Sequence, residues 1–248
     1  NNSLVCQVLL DSGSENQKEL FLKPLAKGDK LGAYSLSEPQ SGSDASNMKT
    51  FAEKEGDYYI INGSKNWVTS GINSDLVILF CLTEKGIGSK GISCFIIDKG
   101  VTGLTIGKKE EKLGIRASDT CELFFENCKI SKNNRIGDEG EGFSIAMKVL
   151  SGGRIGIGAQ AVGLARSSLE KSILYAKERK QFGKSIGQFG AIRNKIAKMA
   201  TNIDAARLLV WQAAYLKDQG KNYVKQSSMA KLFASSIAVE AASDCVQI

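Results

Sequence analysis

Gly137-Asp138-Glu139-Gly140-Glu141-Gly142 is the stretch at which the periodicity of the chain changes. Downstream there is no proline, and Ile192, Ile196, Met199, Ile203, Ala206, Val210 and Ala213 advance by three and four residues, the spacing of one face of an α-helix. The pattern predicts three long helices, about 141–180, 188–219 and 222–248, and a stripe this narrow suits antiparallel bundle packing. Upstream, between about Leu31 and Asn134, short β-branched or aromatic runs recur at Leu31–Leu36, Tyr58–Ile61, Asn66–Val68, Leu76–Leu82, Ile92–Ile97 and Cys121–Phe125, bounded by Gly, Asn and Asp. These predict an antiparallel β domain. Asn62-Gly63 is a type I′ turn dipeptide, which would put Tyr59–Ile61 and Lys65–Val68 on the arms of a hairpin. At the start, Leu4, Val5, Val8 and Leu9, then Leu20, Leu22 and Leu25, are separated by Ser12-Gly13-Ser14 and predict two short helices. The fold class is α+β, in three zones: 1–30 as the end of a helical domain, 31–136 as the β domain, 137–248 as a helical bundle.

Composition narrows the function. The 248 residues are 42% hydrophobic and 24% charged, which excludes intrinsic disorder and predicts a globular chain. The net charge is +7 and there is no histidine, so imidazole bases, Ser-His triads and His-ligated metals are absent from this chain. The longest apolar run, Leu76 to Leu82, is strand-length and far short of a membrane span. The first residues, Asn1-Asn2-Ser3-Leu4, lack a methionine and a signal-peptide pattern and open in mid-pattern, so the expectation is part of a longer polypeptide. Six cysteines lie scattered without a C-x-x-C pair and read as reduced core thiols, consistent with bacterial cytoplasm or mitochondrial matrix.

Two motifs tempt and fail. Gly156-Ile157-Gly158-Ala159-Gln160-Ala161 fits a dinucleotide fingerprint, yet falls inside a helical pattern rather than after a strand. With Gly152, Gly153 and Gly163 it reads better as close backbone approach to a neighbouring helix. Gly183-Lys184-Ser185 imitates the end of a phosphate-binding loop, but Glu178 occupies the place of its first glycine. The basic residues Arg166, Lys171, Lys177, Arg179, Lys180 and Lys184 read as a solvated face or a site for a phosphorylated small molecule. With 7% aromatics and no recognition motif, nucleic acid is not an expected partner.

The loop Ser37-Glu38-Pro39-Gln40-Ser41-Gly42-Ser43-Asp44 gathers small residues and hydroxyls beside the β domain. Turn chemistry accounts for it; so does a concave donor surface for carbonyl or phosphate oxygens, made by backbone N–H groups and the hydroxyls of Ser37 and Ser43. Trp67-Val68-Thr69 would add an aromatic wall with a hydroxyl beside it, a pairing that suits a planar heterocycle.

Tyr34 to Asp44, then Asn62-Gly63-Ser64-Lys65-Asn66-Trp67-Val68-Thr69, Lys112-Leu113-Gly114-Ile115-Arg116, Gly153-Arg154-Ile155, Ala176 to Gly183 and Asp244-Cys245-Val246-Gln247-Ile248 together resemble the acyl-CoA dehydrogenases. The likeness covers essentially the whole chain and is greatest to the short-chain, butyryl-CoA members. It implies a middle β domain, a C-terminal helical bundle and a homotetramer. It implies FAD held by Tyr34, Leu36, Ser37, Gly42, Ser43, Trp67, Val68 and Thr69, with Arg179 and Phe182 reaching the adenosine half of a neighbouring subunit's FAD and Gln247 opening a further flavin segment. The acyl-CoA would meet Ser43 and Ser151, Gly152, Gly153 and Arg154, and an electron-transfer flavoprotein would take the electrons. The family's usual glutamate base lies in the stretch after the final helix, past Ile248, where this sequence stops; Gly153 stands at the alternative base position, Ser151 at that of a substrate-side acid and Gly190 at that of an adenosine-side glutamine, so no residue is assigned as catalytic. Two other readings use the same scaffold: a base-less paralogue serving as a flavin- or CoA-binding or assembly subunit, and an oxidase that reduces oxygen directly.

Overall fold

The structure, a computed structural model, describes all of residues 1–248. Its contacts divide the chain into two compact units, Asn1–Val149 and Leu150–Ile248.

The first unit opens with helix α1 (Asn2–Ser12), which buries Val5, Val8 and Leu9. Gly13 ends it, and Ser14 starts the next helical segment through a capping box with Gln17. That segment runs as α2 (Glu15–Gln17), a π-helical turn (Lys18–Leu22) and α3 (Lys23–Lys27), ended by Gly28 in the left-handed conformation at φ 84°. The buried Gln17 side chain donates to the carbonyls of Asn133 at 2.8 Å and Arg135 at 2.9 Å, tying these helices to the far end of the β region. A Cβ on Gly32 would stand 2.6 Å from Val5 Cγ1, so the close approach of α1 to the first strand requires glycine there.

The strands are β1 (Gly32–Ser35), β2 (Phe51–Glu55), β3 (Tyr58–Thr69), β4 (Leu76–Leu82), β5 (Ile92–Asp98), β6 (Leu104–Lys109), β7 (Thr120–Ser131) and β8 (Arg135–Ile136). They form an eight-stranded sheet in the order β6-β7-β3-β2-β4-β5-β8, with β1 joined to β4. Every residue of β4 from Leu76 to Cys81 is buried, as its unbroken apolar run requires of a strand covered on both faces. Tyr59, Ile61, Leu79, Phe95, Leu123 and Phe125 lie at the heart of the core. Burial pushes the Cys81 thiol up to about 12 and those of Cys121 and Cys128 to about 11. All six cysteines are free.

Two strand-level expectations are corrected. The sheet is mixed rather than antiparallel: β1 pairs with β4 in parallel over Gly32–Ser35, and β2 meets β4 in parallel at Phe51. The connection from β1 leaves the sheet through residues 36–50 before β2 begins, and no local pattern announces the direction in which a strand will pair. Nor is Asn62-Gly63 a turn, because β3 runs unbroken through it. Gly63, at φ 140°, sits in an irregularity where the register against β7 shifts between Ile61 and Gly63. The Asn62 side chain accepts from the backbone N–H of Asn127, across the strand pair, at 2.8 Å. The hairpin turn lies earlier, at Gly56-Asp57, with Gly56 at φ 58°.

Helix α4 (Gly142–Glu178) begins in the first unit and continues into the second. There it is followed by a two-stranded ribbon, β9 (Lys180–Gln181) and β10 (Lys184–Ser185), and by α5 (Gly190–Asp218) and α6 (Val224–Gln247). The three long helices fall where the periodicity put them. Met199, Ile203, Ala206, Val210 and Ala213 of the stripe are buried and pack with Ala161, Ala165, Ala230, Ala234, Ile237 and Ala241. Alanine at so many of these positions lets the helix axes come close. Gly158 shows the same close approach: a Cβ there would lie 3.0 Å from Val210 Cγ2 and 3.6 Å from the Ala230 backbone. Gly156 and Gly163 face open space instead. No helix is long and apolar enough to cross a membrane.

Candidate functional site

The C-terminal end of β1 and the second half of β3 come together without a ladder between them. Two bonds bridge the gap: the Asn66 N–H donates to the Ser37 carbonyl at 2.8 Å, and Lys65 Nζ donates to the Leu36 carbonyl at 2.9 Å. Just beyond them Trp67 takes a left-handed backbone conformation at φ 58°, and Ser70 another at φ 65°. For a tryptophan this is strained geometry, held only where the surroundings dictate it. Trp67 stands where the register of β3 against β7 shifts between Lys65 and Val68, and past it the Ser70 N–H donates to the Asp119 carbonyl at 2.9 Å, while the Asp119 carboxylate accepts from Ile72 N–H at 2.8 Å and Asn73 Nδ2 at 3.0 Å. Burial would raise the Asp119 carboxyl, but the hydrogen bonds from Asn73 and Ile72 hold it below the usual carboxylate range. The indole of Trp67 is left 63% exposed, while Val68 turns into the core.

The loop after β1 has its own lock. Glu38 and Ser41 exchange backbone hydrogen bonds at 3.0 Å each way. The Glu38 carboxylate, almost fully buried, accepts from the backbone N–H groups of Lys49 at 2.6 Å and Thr50 at 3.1 Å, from Gln40 Nε2 at 2.7 Å, and from Lys65 Nζ at 2.8 Å. The Lys65 side chain has no exposed surface. Burial would raise the Glu38 carboxyl, and the Lys65 ammonium with the two backbone donors brings it below its usual value. Burial pulls Lys65 down against the pull of Glu38. Between the locked ends, Gly42 and Ser43 stand exposed, and a Cβ on Gly42 would touch nothing.

Of the residues expected to form a cofactor site, Tyr34, Leu36, Ser37, Gly42, Ser43, Trp67, Val68 and Thr69 all lie in this unit. Ser37 is brought within one hydrogen bond of Asn66, the neighbour of Trp67. The Leu36 and Val68 side chains are buried, which leaves their backbone groups as what they can offer a ligand. Tyr34 packs on Phe80 with ring centroids 5.0 Å apart, and its hydroxyl is buried without a partner. Burial pushes that phenol well above its usual value, so it acts only as a neutral hydroxyl.

The helical unit carries the others. Ser151, Gly152, Gly153 and Arg154 follow one another along α4, where Arg154 Nη1 donates to Ser151 Oγ at 3.1 Å. A Cβ on Gly152 would lie 3.3 Å from Lys217 Nζ and 3.6 Å from the Tyr223 hydroxyl. Arg179 follows α4 at the base of the β9–β10 ribbon, where its carbonyl accepts from Ile186 N–H at 2.9 Å. Phe182 forms the tip, at φ 51° and 92% exposed, edge-on to Phe189 at 6.0 Å. Gln247 is the exposed last residue of α6.

Sequence reasoning gave no role to Glu38 and Lys65, although both stand inside the quoted motifs. The signal available was weak: Lys65 occupies an inward position of β3, where an apolar residue is the rule.

Known proteins match this chain over both units. Residues 33–128 match the family model "Acyl-CoA dehydrogenase, middle domain", and residues 140–248 match "Acyl-CoA dehydrogenase, C-terminal domain". A protein of Clostridium acetobutylicum named a short-chain specific acyl-CoA dehydrogenase is 48% identical over 246 residues, 99% of this chain and 65% of that one. The solved butyryl-CoA dehydrogenase of Megasphaera elsdenii is 45% identical with a TM-score of 0.97, over 99% of this chain and 64% of its own. A chain from a structure described as the electron transferring flavoprotein of Acidaminococcus fermentans is 47% identical, TM-score 0.97, over 99% of this chain and 66% of its own. This chain thus spans about 65% of the length of the relatives it matches. Acyl-CoA dehydrogenases are FAD-dependent flavoproteins. With both domain models in order along it and near-identical backbones among its relatives, the chain belongs to the acyl-CoA dehydrogenase family.

Proposed function

We propose that this chain is the flavin- and thioester-binding part of a short-chain acyl-CoA dehydrogenase, which converts a saturated acyl-CoA to its trans-2-enoyl-CoA and passes the electrons to an electron-transfer flavoprotein. The observation that carries the reading is the strained, exposed Trp67, whose neighbour Asn66 is hydrogen-bonded to Ser37 at the start of the locked loop that carries Gly42 and Ser43. A flat indole next to unengaged backbone donors and hydroxyls suits a planar, hydrogen-bonding heterocycle. Gly42 leaves room for such a ring to approach the backbone.

In that reading Trp67 and Thr69 wall the isoalloxazine, Tyr34, Leu36, Ser37, Gly42 and Ser43 supply hydrogen bonds, and Ser43 also faces the thioester. FAD, when bound, supplies the acceptor for the hydride leaving the β-carbon. The chain's own work is to orient the thioester, exclude water and offer donors to the carbonyl oxygen as the α-proton departs. Glu38 is no base for that proton, since its carboxylate is buried, ion-paired and held in its charged form. Ser151 to Arg154 hold the acyl-CoA, and Arg179, Phe182 and Gln247 meet FAD, the first two across a tetramer interface. We assign residues 1–30, 31–136 and 137–248 to the family's three domains. Short-chain specificity rests on the named relatives, and the compartment is bacterial cytoplasm or mitochondrial matrix, in keeping with the free thiols.

The test is the visible spectrum of the purified protein before and after anaerobic butyryl-CoA. A flavin band that bleaches supports the reading. A flavin band that persists favours the base-less paralogue or another acyl chain, and absence of bound or bindable flavin overturns both.

A further inference from the structure

A flavin site built on a loop faces a difficulty that a site built on strands does not: residues 36–50 contain no regular strand or helix, yet Gly42 and Ser43 must hold a fixed place for a ligand that also meets Trp67. Loop ends left free would cost conformational entropy each time a ligand is bound. The Glu38 carboxylate closes the loop from within. It accepts from Gln40 on the outgoing side and from the Lys49 and Thr50 N–H groups on the returning side, so one side chain gathers both ends. Ser41 Oγ adds a bond to the Asp44 carbonyl at 2.7 Å inside the ring so formed. Lys65 then joins the closed loop to β3, two residues before the indole, by donating to Glu38 Oε1 and to the Leu36 carbonyl, with Met48 Sδ 3.8 Å from its ammonium. Thr50 Oγ1 donates to the Ser64 carbonyl at 3.1 Å beside it.

We infer that Glu38 and Lys65 are positioning residues for the cofactor: their buried pair fixes the loop carrying Gly42 and Ser43 in register with Trp67, so that the two halves of the cradle are preorganised before FAD arrives. The inference rests on the flavin reading of this site. A hydrophobic pair would serve stability as well as an ion pair does; what it lacks is directional bonds to the backbone at both loop ends.

The pair of substitutions Glu38→Gln with Lys65→Met removes both charges together and separates stability from positioning. In the full chain, the double variant melts close to wild type, while amides of residues 40–48 exchange at least about tenfold faster and the FAD dissociation constant rises about tenfold. A double variant with unchanged loop exchange and FAD affinity within about twofold of wild type overturns the inference. Should that variant not fold, the wild-type protein decides. The Lys49 and Thr50 amides, both ahead of β2, are expected to exchange as slowly as that of Ile78 in β4, and exchange at ordinary loop rates overturns the clip. A wild-type protein that binds no FAD but keeps this protection removes the flavin reading, and the positioning role with it, while leaving the clip as a property of the loop.

Discussion

The two units solve the same problem, holding chain segments close, with opposite materials. In the first, the segment around Glu38 is fixed by a charge pair inside the fold whose every oxygen is engaged by a named donor. In the second, α4, α5 and α6 meet along alanine and glycine, and packing does the rest. Directional bonds hold an irregular loop in one shape; small apolar residues hold regular helices at short range but dictate little about any single side chain. A cofactor cradle of the kind proposed, which needs fixed backbone donors, would be served by the first material rather than the second.

The contrast can be broken at its strongest point. Lys65→Met alone leaves the Glu38 carboxylate buried without its counter-charge and should cost about 3–5 kcal/mol in urea unfolding. A loss under about 1 kcal/mol would show that the pair is not an organising element. The same pair sets an acid limit. Because the folded Glu38 carboxyl lies below its ordinary 4.5, its contribution is complete above that value and is lost as pH falls through the folded value. Glu139 and Asp119, both in the first unit, are lowered too. Melting curves between pH 6 and pH 3 should therefore decline below about pH 4.5, with strand amides of the first unit losing protection first; a flat profile would contradict it.

Glycine-to-alanine changes sharpen the comparison. A Cβ on Gly63 would meet Thr50 Cα at 2.7 Å, with φ at 140°, so Gly63→Ala should destabilise by about 2 kcal/mol or more. Gly158→Ala puts its methyl 3.0 Å from the movable Val210 Cγ2 and gains about 1 kcal/mol of helix propensity, so its net effect should stay within about 1 kcal/mol of zero. Equal losses at both positions, measured by thermal melts, would mean the units do not differ as described. Smallest of all, Lys198→Ala removes an exposed pair with Glu240 at 3.4 Å and should change stability by less than about 0.5 kcal/mol.

Legibility followed the same division. The helices could be read from periodicity because Met199, Ile203, Ala206, Val210 and Ala213 each sit on one buried face. The strands were legible where both faces are buried, as in Leu76–Leu82, and illegible where they are mostly exposed. β2 buries only Ala52, and β6 buries no residue fully, so neither carries an apolar signal. Asn62-Gly63 misled because its local turn chemistry is outweighed by long-range pairing of β3 with β7. Of the candidate site, Ser37, Ser43 and Trp67 could be read from their own chemistry, and the rest was named by resemblance. The Glu38–Lys65 lock could not, since two oppositely charged residues in polar motifs read as surface until the fold buries them.

The most direct test follows Trp67 itself. In a Trp211→Phe protein, the remaining indole reports the cradle, and titration with FAD should quench its emission to saturation at one flavin per chain. Emission from Trp67 that is unchanged while FAD binds would place the flavin elsewhere and contradict the account.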